Sequence, residues 1–163
     1  MFIYILRHGD ASSEARYKDT ERPLTDIGKL QATHVGKFLQ QQKIHIETLL
    51  ASPMKRAQQT ASIVGQKLQT NSVTTTDFLL NGAGFISLIE LLNQLHSRSV
   101  LLVGHIPHLV GALSFLLSDK NNREIELGKC SLAIVESLSP IEPGHATLRQ
   151  LIHIDSISKH IRV

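Results

Sequence analysis

Apolar residues fall in two kinds of pattern along the chain. Phe2 to Leu6, Thr48 to Ala51 and Val100 to Val103 are short, nearly unbroken runs, as in strands buried on both faces of a parallel sheet. Between the first two, Ile27, Leu30, Val35, Phe38 and Leu39 keep helical spacing, which predicts a helix from about Asp26 to Gln42 with Thr25 or Asp26 as its N-cap. Ser52-Pro53 predicts the next helix start, Ser52 capping and Pro53 in the first helical position, and Ala57, Ala61, Val64 and Leu68 carry the period onward. Phe85, Leu88, Ile89 and Leu92 repeat it over Phe85 to Leu95. Pro107 opens a fourth helix through Leu109, Leu113, Leu116 and Leu117. Ser131 to Glu136 and Thr147 to Ile152 read as strands, and Ser139 to Gly144, with two prolines, as a turn. Strands alternating with helices at these lengths predict right-handed βαβ units and a three-layer α/β sandwich around a mostly parallel central sheet.

With 163 residues, the chain suits a single domain spanning 1–163. No repeat, low-complexity tract or linker divides it. No apolar run approaches the ~18 to 20 residues of a membrane-crossing helix. The opening apolar stretch lacks the basic flank and cleavage site of a signal peptide, so a cytoplasmic location without membrane association is expected. Cys130 is the only cysteine, which excludes an internal disulfide and a multi-cysteine metal site and leaves core filling as its expected role. The net charge of +3 arises before residue 81, where ten Lys and Arg face seven acids. That surplus suits an anionic substrate, and is too diffuse and too poor in aromatics for a nucleic-acid surface.

Candidate chemistry collects where the strands end. His8 follows the first apolar run after Arg7, and His105 follows Val100 to Val103 after Gly104. The carboxyl ends of parallel strands share one edge, where ligands bind near the point at which strand order reverses. Arg56 falls in the first turn of the helix after Ser52-Pro53, which places it on that edge beside a positive helix terminus. Such a set suits phosphoryl transfer, whose transition state spreads negative charge over three equatorial oxygens. Arginine forks bind those oxygens bidentately. A neutral imidazole attacks phosphorus without a separate base once its other nitrogen is held by a hydrogen bond. Taken singly, each residue has an ordinary reading: a solvated loop start for Arg7-His8, a surface side chain for Arg56, a satisfied strand-end histidine for His105. Joint placement is what points to a site. His34 and His96 fall on predicted helices as surface or boundary residues. His105 and His108 have an i, i+3 spacing, but no third metal ligand accompanies them.

The segments Leu6-Arg7-His8-Gly9-Asp10-Ala11, Arg22-Pro23-Leu24-Thr25, Ser52 to Thr60 (Ser-Pro-Met-Lys-Arg-Ala-Gln-Gln-Thr) and Val103-Gly104-His105-Ile106-Pro107 together resemble the histidine phosphatase superfamily, the phosphoglycerate mutase-like proteins. The short length and the Arg-His-Gly-Asp-Ala and Arg-Pro-Leu-Thr segments are most similar to its SixA-type phosphohistidine phosphatase branch. The likeness runs from residue 2 to about 118 and is only general beyond Lys129. It implies that His8 is phosphorylated and then hydrolysed, and that Arg7, Arg56 and His105 form the phosphate pocket. It also implies that Arg22 and Gly9 contact the substrate, and that neither metal nor cofactor is needed. Larger relatives cap the site with long insertions, whereas only 13 residues separate His8 from Arg22 here. An open site follows, able to admit a phosphohistidine on another protein, such as a phosphotransfer domain or carrier of a phosphorelay.

Relatives that cleave phosphate esters present a carboxylic acid after the third strand, where this chain reads Thr76-Asp77-Phe78. Asp77 is therefore the candidate acid or a turn residue, with Asp19 and Asp10 as other candidates. A phosphorus–nitrogen bond needs less acid help than an ester, since the leaving imidazole carries its own proton. Two alternatives stay open: a phosphatase of small phosphate esters or anhydrides, and a non-catalytic phosphohistidine-binding module, against which the presence of His8 argues.

Overall fold

The first apolar run forms strand β1 (Phe2–Arg7), whose Ile3 and Ile5 enter one core while Tyr4 and Leu6 enter another. The computed structural model describes residues 1–70, 72–118 and 125–160, except for the side chain of His160. Helix α1 (Asp26–Gln41) follows, then β2 (Thr48–Ala51), α2 (Lys55–Leu68), β3 (Thr74–Thr75), α3 (Phe85–Gln94) and β4 (Ser99–Gly104). Next come α4 (His108–Leu117), β5 (Leu132–Glu136), β6 (Thr147–Ile152) and α5 (Ile154–His160). The six strands form one sheet in the order β3-β2-β4-β1-β5-β6, parallel from β3 to β1 and antiparallel across β5 and β6.

This is a three-layer α/β sandwich. Tyr4, Leu6, Leu101 and Val103 pack against Val35 and Leu39 of α1, Ala61 and Val64 of α2 and Ile157 of α5. On the other face Ile3, Ile5, Val100 and Leu102 meet Leu88 and Leu92 of α3 and Leu109 and Leu113 of α4. Each fully buried Leu or Ile stabilises the fold by roughly 1.5–3 kcal/mol over its exposed state, so the two central strands are firmly anchored. β1 and β4 are adjacent, yet the helices that follow them leave to opposite faces. The crevice of an open α/β sheet lies between two such strand ends.

Several expectations shift by local chemistry. Thr25 is the α1 cap, its hydroxyl accepting from the Gly28 amide at 3.1 Å. Ile27 and Leu30, expected on the core face, are 65% and 56% exposed, and the buried stripe runs instead through Gly28, Ala32, Val35, Gly36 and Leu39. The reason is close approach: a Cβ on Gly28 would lie 2.0 Å from the carbonyl oxygen of Asp10, so this turn packs on its glycine side. α2 starts at Lys55 rather than at Ser52, with Met54 in the cap position and the Ser52 hydroxyl lying against His105. His96 lies beyond the end of α3, exposed, not on a helix. α5, too short for a periodic signal, was not predicted. The tail beyond it, residues 161–163, lies outside the described residues.

Candidate active site

The backbone brings the two strand-end histidines together. The His8 amide donates to the Gly104 carbonyl at 3.0 Å, carrying the β1–β4 ladder one residue past the strand. The His8 and His105 rings then lie with centroids 5.0 Å apart. On the other flank, the Cys130 amide donates to the carbonyls of Arg7 (3.1 Å) and His8 (3.2 Å). Cys130 holds this position in the left-handed region, φ 51°, a conformation that costs a non-glycine residue about 1–2 kcal/mol. Its thiol is buried and its pKa is pushed up to about 12 by that burial, which leaves it a core group rather than a reactive one.

His8 itself is held in one tautomer. Its Nδ1–H donates to the Gly9 carbonyl at 2.6 Å, which leaves the Nε2 lone pair unengaged. The Gly9 amide donates to Thr60 Oγ1 (3.2 Å), and that hydroxyl donates to the Arg56 carbonyl (2.8 Å), so the loop is tied to α2. A Cβ on Gly9 would sit 2.7 Å from the Gly28 carbonyl oxygen, so only glycine permits this contact. Gly9, expected at the substrate, thus has both backbone groups committed within the protein.

Burial pushes the His8 pKa down to about 4; the Gly9 hydrogen bond opposes this, while the charges of Arg56, Arg7 and Lys129 reinforce it. His105 is pushed down to about 3, by burial first and then by His8 and Arg56. Both rings are neutral near pH 7. His108 is also lowered by burial, against the hydrogen bond its Nε2–H donates to the Phe78 carbonyl at 2.8 Å. Unfolding restores an ordinary histidine, so between about pH 6.5 and pH 4 the unfolded chain binds more protons than the folded one. The stability these groups contribute is present above pH 6.5 and is lost as the pH falls. Urea midpoints measured at about pH 7.5 and pH 5 should therefore drop on acidification; an unchanged midpoint would mean that the rings are not buried neutral.

The arginines gather at one carboxylate. Arg56, in the first turn of α2 and only 6% exposed, donates from Nη1 to the Asp19 carbonyl (2.6 Å) and from Nη2 to Asp19 Oδ2 (3.2 Å). Arg22 donates from Nη1 to Asp19 Oδ1 (3.1 Å) and from Nε to the Ser12 carbonyl (2.5 Å). Asp19 lies in a 3-10 turn, Asp19–Glu21, in the short loop between β1 and α1. Burial works to raise its pKa, but the bonds from Arg22 and Arg56 win and hold the carboxyl below its ordinary value. Arg7 donates from Nη1 to the Leu127 carbonyl at 3.0 Å.

Two buried polar atoms here, Arg7 Nε and His105 Nδ1, have no hydrogen-bond partner among the described residues. Buried polar groups in folded proteins are nearly always paired, so two unpaired ones in one place make this the candidate ligand site.

Asp10 is committed to its own pair. Lys129 Nζ donates to Oδ1 (2.5 Å) and the Thr25 hydroxyl to Oδ2 (2.7 Å), and both hold its pKa down. Asp77 opens the 3-10 turn Asp77–Leu79 after β3; it is exposed and joins no ion pair among the described residues. Sequence reading missed the Lys129-Cys130 turn, Ser52 as a partner of His105, and Thr60. All three contacts join segments more than fifty residues apart, for which no local signal exists.

Fold and site together define an α/β enzyme with two histidines and a cluster of arginines gathered at the switch point of its sheet. A model of the histidine phosphatase superfamily (branch 1) matches residues 3–80. The chain is 37% identical over 117 residues to phosphohistidine phosphatase SixA of Escherichia coli K12, a match covering 69% of this chain and 71% of that one. Its structure is similar to that of the protein histidine phosphatase SixA complexed with tungstate, with a TM-score of 0.87 at 27% identity over 96% of this chain and 99% of that one. The α-ribazole phosphatase of Shigella flexneri shares the fold, with a TM-score of 0.72 at 18% identity over 94% and 97% of the two chains. The chain belongs to the histidine phosphatase superfamily, and it is a phosphatase of phosphoglycerate mutase-like fold. No helix among the described residues is long and apolar enough to cross a membrane.

Proposed function

We propose that this phosphatase removes phosphoryl groups from phosphohistidine on another protein, a phosphotransfer domain or phosphocarrier of the cytoplasm, through a covalent intermediate on His8. The carrying observation is that the two candidate acids on the loop from β1 to α1 are committed to ion pairs: Asp10 with Lys129, and Asp19 with Arg56 and Arg22. An ionised, paired carboxylate has no proton to give a leaving oxygen. The imidazole of a phosphohistidine leaves as a neutral ring on the proton its other nitrogen already carries, and needs none from the enzyme.

In the first step His8 Nε2 attacks phosphorus in line, and the bond from phosphorus to the substrate nitrogen breaks, its electron pair returning to a ring that is protonated on its other nitrogen and so leaves as neutral imidazole. Arg7, Arg56 and His105 hold the three equatorial oxygens, and Arg22 stands at the rim. In the second step water attacks the phosphoryl group on His8; inorganic phosphate leaves with the water's oxygen and protons, and Nε2 regains its lone pair. Support comes from the 37% identity to a phosphohistidine phosphatase and from the likeness to a structure that holds tungstate, a tetrahedral oxyanion like phosphate. Access for a protein substrate is supported by the 13-residue stretch between His8 and Arg22, whose only regular element is one 3-10 turn, and by the exposed Ile27, Leu30 and Ile106 on segments beside the site.

The alternative, a phosphatase of small esters or anhydrides, rests on Asp77, the one candidate acid left unpaired. Assayed side by side, a phosphohistidine protein should be turned over with kcat/KM at least about 10²-fold above any phosphate ester, the lower bound of what a general acid contributes. Asp77→Asn should leave phosphohistidine turnover within about twofold. Ester turnover equal to that on phosphohistidine, and lost in Asp77→Asn, would establish the alternative instead.

A further inference from the structure

Ser52 was expected to cap α2. It instead lies fully buried beneath His105, its Oγ 2.8 Å from His105 Nε2. Which atom donates follows from what else surrounds the hydroxyl. Its other side-chain hydrogen bond comes from the Met54 amide, long at 3.5 Å, and in that contact Oγ accepts. A buried hydroxyl hydrogen needs an acceptor, and among the described residues Nε2 of His105 is the one within reach. Ser52 therefore donates and Nε2 accepts. A neutral imidazole carries a single hydrogen, so in His105 it sits on Nδ1, the atom that is buried without a partner.

We propose that Ser52 is a positioning residue: by donating to Nε2 it fixes His105 in the tautomer whose Nδ1–H is offered to the transferring phosphoryl group. In the opposite tautomer a lone pair on Nδ1 would face the anion and repel it. The two histidines would then be set in the same way, each by a hydrogen bond on one nitrogen that decides what the other can do. In His8 a carbonyl takes the Nδ1 hydrogen and leaves a nucleophilic lone pair. In His105 a hydroxyl fills the Nε2 lone pair and leaves a donor. The site thus holds one basic and one acidic imidazole face without charging either ring. The assignment of the phosphoryl group as ligand rests on the function proposed above; the tautomer does not.

Long-range 1H–15N spectra of the uniformly labelled protein near pH 7, with His105 signals assigned by their loss in His105→Ala, should show a protonated Nδ1 and an unprotonated Nε2. Protonation on Nε2 would overturn the proposal whatever the substrate proves to be. Ser52→Ala should release His105 toward the other tautomer and lower kcat on the phosphohistidine protein by about tenfold, less than the 10² to 10³ lost when a donor is removed outright. KM should change little, and Ser52→Thr, which keeps the hydroxyl, should recover both tautomer and rate. Wild-type tautomer and kcat in Ser52→Ala would likewise overturn it, and should that variant not fold, the wild-type spectrum and Ser52→Thr still decide.

Discussion

His8→Ala should yield a folded protein with no measurable turnover. Of the two strand-end histidines, His8 alone offers a lone pair that is both unengaged and on a neutral ring, because Nδ1 is bonded to the Gly9 carbonyl and burial keeps the imidazole unprotonated. Its removal takes away the bond-forming atom, and no neighbour substitutes: Nε2 of His105 is occupied by Ser52, and the Cys130 thiol is pushed up to about 12. The fold should persist, since the His8 backbone stays bonded to Gly104 and Cys130 whatever the side chain. Circular dichroism and the thermal midpoint check the fold. Radiolabel from a phosphohistidine donor, trapped at neutral or alkaline pH, checks the chemistry. It should appear on His8 of the wild type and be absent from His8→Ala. Label on another residue, or a rate in the variant within tenfold of wild type, would remove His8 as nucleophile.

The acid limb of the same activity carries a further consequence. With a pKa near 4, His8 stays unprotonated at pH values where an ordinary histidine would be mostly charged. Burial first, and then the surrounding cations, keep the proposed nucleophile neutral.

How much of this was legible in sequence follows from the range of each interaction. β1 and β4 announced themselves because a strand buried on both faces has no polar alternation, and their last residues fixed where His8 and His105 stand. Arg56 was legible through helix geometry, since a first-turn side chain lies near the strand that precedes it. Ser52 was misread for a local reason: serine before proline is a helix-cap signal, whereas a partner fifty-three residues away leaves no trace in its surroundings. The same holds for Cys130, whose amide reaches back to Arg7 and His8. The candidate acids show the limit differently. Asp10 and Asp19 are near the site as expected, but their protonation depends on Lys129, Arg22 and Arg56, and hence on packing that spacing alone does not reveal.

Arg56→Ala should lower kcat by about 10² to 10³, the loss of roughly 2.7 to 4 kcal/mol that follows removal of one transition-state donor. The pairing with Asp19 is no obstacle to that role. A guanidinium carries five N–H donors; one on Nη1 and one on Nη2 go to Asp19, which leaves three for a phosphoryl group. Asp19 thereby fixes the plane of the fork while its charge stays shared with Arg22. A fork already fixed in place loses little entropy when charge develops on the phosphoryl oxygens, so its contribution should fall on kcat more than on KM. Arg56→Lys should recover only part of the rate, because an ammonium keeps the charge but cannot hold Asp19 and two phosphoryl oxygens in one plane. Steady-state kinetics on the phosphohistidine protein separates the outcomes: a drop of tenfold or less in Arg56→Ala, or full rescue by lysine, would make Arg56 a peripheral charge rather than a clamp on the transferring group.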